Sequence, residues 1–284
     1  MSGLLMSMRK QWPTWLILGI GFAFLYVPVL ILMFYSFNGG RLATVWSGFS
    51  FKWYGELFRD QSIMNAAWVS LRIAFWNACA AVVLGTMAAL VMARMRVFRG
   101  KTLFGALITA PLVMPDVITG FSMLMLFVPL GAMFSIDAKG MTAIWIAHVT
   151  FSMAYVTVVI SSRMAELDKS LEEAAMDLGA NRIKVFFQIT LPIIAPAMVA
   201  GWLLAFTLSL DDVVIANFVA GPGATTLPMK VFSSVRMGLS PKINALATIM
   251  IGLVAICAFI GWWLMQRAEK RRQRDMQLAL QDNG

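Results

Sequence analysis

Six stretches of the chain are apolar for long enough to cross a lipid bilayer as helices, and polar residues gather in the connections between them. Each helical residue adds about 1.5 Å, so about 20 apolar residues match a hydrocarbon layer about 30 Å thick. The stretches run over 15–34, 70–93, 104–134, 141–162, 193–210 and 244–265. The third is interrupted. Pro111 and Pro115 each remove a backbone donor and Gly120 follows, so this segment is expected to be kinked or broken. Asp116 lies beside the break, and a carboxylate near the bilayer centre costs about 2.5–3.5 kcal/mol on insertion scales, so it must face protein or water rather than lipid. The first stretch follows Arg9 and Lys10. Its apolar run is longer than that of a secretory leader and no small-residue cleavage pattern follows, so it reads as an uncleaved anchor.

The pattern predicts an all-α integral membrane protein with six transmembrane helices. Its parts are a cytoplasmic segment at 1–14, a membrane domain at 15–265 and a basic cytoplasmic tail at 266–284. Two connections carry structure of their own. Phe51, Tyr54 and Phe58 recur at helical spacing in the first, which predicts a short interfacial helix. In the fifth, Gly221-Pro-Gly223 and the turn ending at Pro228 predict a structured excursion.

Composition agrees with a membrane protein. The chain is 60% hydrophobic and 13% charged, against about 45–50% and about 25% in soluble domains. A net charge of +9 in a soluble protein raises the question of nucleic acid. Here the basic residues follow the positive-inside rule instead. Arg9 and Lys10, then Arg94, Arg96, Arg99 and Lys101, then Arg267, Lys270, Arg271, Arg272 and Arg274 all belong to one side of a six-helix topology, which makes both termini cytoplasmic. Cys79 and Cys257 fall inside apolar runs and read as inert thiols. The single histidine, His148, has no second ligand at helical spacing, so it reads as a hydrogen-bonded packing residue and no metal is expected.

The connection between the fourth and fifth stretches, 163–192, is long, charged and cytoplasmic by the same rule. Ser170 and Glu173 have capping-box spacing, so a helix is expected from Leu171. Leu171, Ala174, Ala175 and Leu178 fall at i, i+3, i+4 and i+7 on one face. Gly179 stands where a left-handed C-terminal cap is wanted, Asn181 can cap a second helix through about Ile189, and Pro192 opens the next span. So short a helix needs a partner surface. Its own membrane domain and a separate subunit are both open to it.

These residues also resemble a known family. Glu173-Ala174-Ala175, three residues, Gly179, nine residues and Ile189-Thr190-Leu191-Pro192 match the EAA motif of ABC importer permeases at every fixed position. The segments 111–116, 209–212, 221–229 and 231–236 are similar to the polyamine branch, its putrescine permeases above all. The resemblance implies a type I importer permease fold and a coupling helix over 171–179 that docks in a groove of a cytoplasmic ATPase. It also implies a second permease, two ATPase subunits and an external polyamine-binding protein as partners.

The chain carries no nucleotide site of its own. Gly100-Lys101-Thr102 ends like a phosphate-binding loop, but the first glycine of that motif would fall at Met95 and no strand precedes it. No catalytic residue or cofactor is expected, and ATP is hydrolysed on another chain. For a dicationic substrate the pathway should offer carboxylates, and Asp116, Asp211 and Asp212 lie near or within spans. Asp116 is expected to face the pathway, with Asp211 and Asp212 near its outer mouth; alternatively the pair caps the segment beginning at Val213 and Asp116 caps the resumed third helix. Spermidine or another cation is an alternative substrate. An ion-coupled carrier is the competing class, against which stand the EAA loop and the absence of an inverted repeat.

Overall fold

Among the described residues, twelve α-helices account for most of the chain and the only extended pairing is an isolated bridge between Asn38 and Phe49. The computed structural model describes residues 2–42, 45–95, 98–135, 137–238 and 240–256, together with Phe259, Trp263, Gln266 and Arg267, with side chains from Pro13 onward. In chain order the helices are α1 (Ser2–Tyr35), α2 (Lys52–Arg59), α3 (Gln61–Arg94), α4 (Lys101–Val113), α5 (Asp116–Phe134), α6 (Met141–Glu166), α7 (Lys169–Asp177), α8 (Arg182–Val185), α9 (Leu191–Asp211), α10 (Val214–Val219), α11 (Leu227–Met237) and α12 (Pro241–Ile256).

Among the described residues, five helical segments are long and apolar enough to cross a membrane: Pro13–Tyr35, Gln61–Arg94, Asp116–Phe134, Met141–Glu166 and Arg182–Asp211. Each coincides with one expected stretch. The sixth is described over Pro241–Ile256, and its remainder apart from Phe259 and Trp263, with Cys257 and the tail beyond Arg267, lies outside the described residues.

The third stretch is broken, at one proline rather than two. Pro111 is accommodated in the last turn of α4, whereas Met114 and Pro115 are extended, with ψ of 134° and 140°. The Pro115 ring pushes the residue before it out of the helical region, which ends α4 and lets α5 start afresh at Asp116.

The chain divides into two compact units, Gln61–Ser233 and Met1–Asp60 with Ser234–Gly284. In the first, α3, α6 and α9 pack on one another. Small residues make this possible: Ala78, Ala81 and Ala89 of α3 and Ala205 of α9 close around Val156, Ile160 and Met164 of α6. Lipid offers no hydrophobic drive for helices to associate, so close backbone approach and dispersion must supply it. Gly85 shows how close the approach is, since a Cβ there would lie 2.8 Å from Val156 Cγ1, and one at Gly201 would lie 3.2 Å from the same atom. The buried amide of Asn77 spans all three helices, its Nδ2 donating to Ser152 Oγ at 3.1 Å and to the Ala205 carbonyl at 2.9 Å. A second cluster, built on Ile73, Ile144, Ile215 and Val219, joins the opposite end of α3 and α6 to α10.

In the other unit, residues 36–42 and 45–51 fold around buried Asn38. Its amide Nδ2 donates to the carbonyls of Leu42 and Val45, and its Oδ1 accepts from the Ser47 N–H. The expected short helix forms as α2. Trp53 and Leu57 are buried, while Phe51 and Phe58 are exposed. Trp53 wins the inward position because its indole N–H reaches the Asn38 carbonyl at 2.7 Å, a partner that a phenyl ring cannot use. Lys242 at the start of α12 donates to Asp60, which closes α2, at 2.9 Å.

Candidate coupling loop and carboxylate cluster

Helix α7 begins two residues earlier than the capping-box spacing predicts. Asp168 is the N-cap: its Oδ1 accepts from the Ser170 N–H at 2.9 Å, which places Ser170 inside the first turn and leaves the Ser170–Glu173 box unformed. An aspartate caps as well as a serine, and its charge also meets the positive end of the helix. The same bonds from the backbone and hydroxyl of Ser170 hold the Asp168 carboxyl below its ordinary pKa. The cap is therefore complete at neutral pH and is lost only when acid reaches that lowered value.

The far end of α7 closes as its sequence suggests. Gly179 has φ +90°, its N–H donates to the Met176 carbonyl at 2.9 Å, and Ala180 N–H donates to the Ala175 carbonyl at 3.0 Å. This paired bonding is the Schellman closure, which requires a left-handed residue after the helix. Asn181 then caps α8 by accepting from the Lys184 N–H at 2.8 Å.

Pro192 does not open a separate span. Helix runs without a break from Arg182 to Asp211, and Phe186–Thr190 is wound as a π-helix in which Leu191 N–H donates to the Phe186 carbonyl. A proline in a helix clashes with the carbonyl four residues back, and a locally wider turn next to it accommodates the misfit.

The apolar face of α7 is uncovered. No residue of the helix is buried, Leu171 is 49% exposed and Leu178, just past its end, is 90% exposed. Ala174 is exposed and Ala175 half-buried. Glu173 is exposed and makes no ion pair among the described residues. Its neighbour carries the attachment instead. Glu172 Oε1 accepts from Arg94 Nη2 at 3.0 Å and Nε at 3.2 Å and from Thr190 Oγ1 at 2.7 Å, and thereby fastens α7 to the last turn of α3 and to the π-segment that leads into α9. Sequence reading missed this residue. Its partners lie 78 positions upstream and 18 downstream, and no local spacing announces either. An open cavity of roughly 700 Å³ between these elements is lined by Arg94, Glu172, Glu173, Met176, Phe186 and Thr190 among others.

The three aspartates named from the sequence come together, with different surroundings. Asp212 is engaged: its Oδ1 accepts from the Ile215 N–H at 3.2 Å and its Oδ2 from the Ala216 N–H at 2.7 Å, so it caps α10, and Oδ2 also lies 3.1 Å from His148 Nε2. The other ring nitrogen, Nδ1, lies 2.7 Å from Ser209 Oγ. His148 is thus the buried packing residue its sequence context suggests. Asp116 and Asp211 are exposed, and Asp211 lies within electrostatic range of both Asp116 and Asp212. Asp116 occupies the first turn of α5 but makes no side-chain cap bond there.

The two remaining details carry no chemistry. Lys101 Nζ donates to the Met95 carbonyl at 2.8 Å, and Cys79 Sγ accepts the Trp202 indole N–H at 3.4 Å.

The family described as binding-protein-dependent transport system inner membrane component matches residues 81–274. Among curated proteins, the chain is 62% identical over 272 residues to the putrescine transport system permease protein PotI of Escherichia coli K12, covering 95% of this chain and 96% of PotI. It is 43% identical over 232 residues to the spermidine/putrescine transport system permease protein PotC of Haemophilus influenzae, covering 82% and 88%. Among solved structures, a chain of a bacterial alginate ABC transporter, crystallised with its pentasaccharide-bound periplasmic protein, superposes with a TM-score of 0.70 at 16% identity over 89% of this chain and 93% of that one, a likeness of fold alone. By its family match and its identity to these permeases over most of its length, the chain belongs to the binding-protein-dependent transport system inner membrane components.

Proposed function

We propose that this chain is one half of the pore of an ATP-driven importer for polyamines, putrescine first among them, with α7 as the helix through which an ATPase subunit drives it. The observation that carries this reading is the contrast within α7. Its root is pinned through Glu172 to α3 and α9, while its apolar face, Leu171 to Leu178, is left open. A helix of nine residues cannot hold itself together in water, and an apolar face on it needs cover. A groove on a cytoplasmic ATPase supplies that cover, and motion of the docked helix passes along α3 and α9 into the membrane.

On this reading the partners are a second permease, two ATPase subunits and a periplasmic polyamine-binding protein, and both termini of this chain face the cytoplasm. Asp116 and Asp211 face the pathway, where two open carboxylates balance the two ammonium groups of a diamine as it loses water. Asp212 holds the local structure. Putrescine is favoured over spermidine because identity to PotI exceeds identity to PotC.

Leu178→Asp provides the test, because a side chain this exposed can be replaced without loss to the chain's own packing. In proteoliposomes containing the whole transporter, the variant should lose ATPase co-purification, binding-protein-stimulated ATP hydrolysis and uptake of radiolabelled putrescine together. Retention of the ATPase at wild-type stoichiometry would exclude α7 as the docking element.

A further inference from the structure

We propose that the groove between α3 and α6 around Arg72 is a binding site for the phosphate headgroup of an anionic phospholipid, in the leaflet away from the coupling loop. The groove has a volume of roughly 380 Å³ and is lined by Arg72, Ile73, Trp76, Met141, Thr142 and Trp145. Three donors line it: the Arg72 guanidinium, the Thr142 hydroxyl and the Trp145 indole. The indole Nε1 is buried and has no hydrogen-bond partner, which in an apolar setting is costly and points to a missing acceptor. Arg72 is exposed and has no ion-pair partner among the described residues.

Depth along α3 says what that acceptor is. Arg94 marks the level of the coupling loop through its bond to Glu172. Arg72 stands twenty-two residues earlier on the same helix, about 33 Å away at about 1.5 Å per residue, which is close to the hydrocarbon thickness of about 30 Å. It therefore lies at the opposite headgroup level. Trp68 and Trp76, one turn to either side, are 67% and 57% exposed, as side chains of an interfacial belt are. An arginine on an outward face at this depth reaches for a lipid phosphate, which its planar fork binds through paired hydrogen bonds. Ile73, Met141 and Trp76 supply an apolar wall for the upper acyl chain. With no carboxylate among the described residues that line the groove, its lining carries the Arg72 charge alone, which favours a headgroup lacking an ammonium.

The test is native mass spectrometry of the intact transporter, this chain with its partner subunits, titrated in detergent with phosphatidylglycerol or phosphatidylethanolamine. Wild type should retain phosphatidylglycerol in preference. Arg72→Gln should weaken that binding about tenfold, and Trp145→Phe, which keeps an aromatic ring and removes the donor, should weaken it less. A photo-crosslinking residue in place of Trp76 should label lipid. Wild-type affinity in both variants, equal retention of the two lipids by wild type, or crosslinking of position 76 to a protein subunit would each overturn the proposal.

Discussion

Glu172 shows how much a single side chain can carry without any sequence signature. One oxygen accepts three hydrogen bonds, two from the Arg94 guanidinium and one from the Thr190 hydroxyl, so it unites three elements that chain order keeps apart. Charge-assisted bonds of this kind contribute about 1.5–3 kcal/mol each when buried, and less here because both partners are partly exposed. Glu172→Gln should leave the ATPase bound but raise the ATP hydrolysed per putrescine transported, as measured in reconstituted vesicles; an unchanged ratio would show that the attachment does not transmit force. The carboxylate cluster separates by role at the same scale. Asp212→Ala removes the α10 cap and the acceptor for buried His148, at a cost of about 1–3 kcal/mol, so the melting temperature in detergent should fall. Asp116→Asn should leave the melting temperature unchanged and lower putrescine uptake. The opposite pattern would exchange their assignments.

Among the elements, α3 is the hub, and its packing depends on residues too small to look important. Val156 sits between Gly85 and Gly201, and a branched side chain at either glycine must displace it. Gly85→Val should cost about 1–3 kcal/mol by overpacking, and Val156→Ala in the same chain should recover part of the loss by making room. The readout is the thermal unfolding of the single and double variants, and strict additivity would mean the two positions do not compete for one space. The break between α4 and α5 and the π-turn before α9 are the other element-level devices. Both arise from proline, one ending a helix at Met114 and the other widening it at Phe186–Thr190.

For the molecule as a whole, the distribution of basic residues sets the expected orientation. Leu178 and Phe58 are both exposed and lie on opposite sides in the proposed topology. A cysteine at position 178 should react with an impermeant maleimide only when the cytoplasmic face is accessible, and a cysteine at position 58 only from the outer face. In a background lacking Cys79 and Cys257, labelling of both from the same side would invert or dismantle the topology. On the proposed reading, the open face of α7 places part of this fold's stability outside the chain, in the ATPase subunit that would cover it.

The hydrophobic pattern was enough to find the spans, because a bilayer demands a long apolar helix wherever the chain crosses it and that demand is written locally. The glycine stop at Gly179, the Asn181 cap and the helical nature of 52–59 were legible for the same reason: each depends on residues a few positions apart. Local rules also left room for error. Ser170 and Glu173 had the right spacing for a cap, but Asp168 was better placed to accept the first free N–H. The spacing of Phe51, Tyr54 and Phe58 announced a helix but not that Trp53 turns inward, where its indole reaches the Asn38 carbonyl. What the sequence by itself determined was therefore the membrane setting, the number and position of apolar stretches and the family to which the loop at 163–192 points. Only the tertiary structure decided that Glu172 rather than Glu173 fastens that loop, that Asp212 is occupied while Asp116 and Asp211 are open, and that Arg72 shares a groove with Trp145, since each depends on side chains brought together from distant parts of the chain by helix packing.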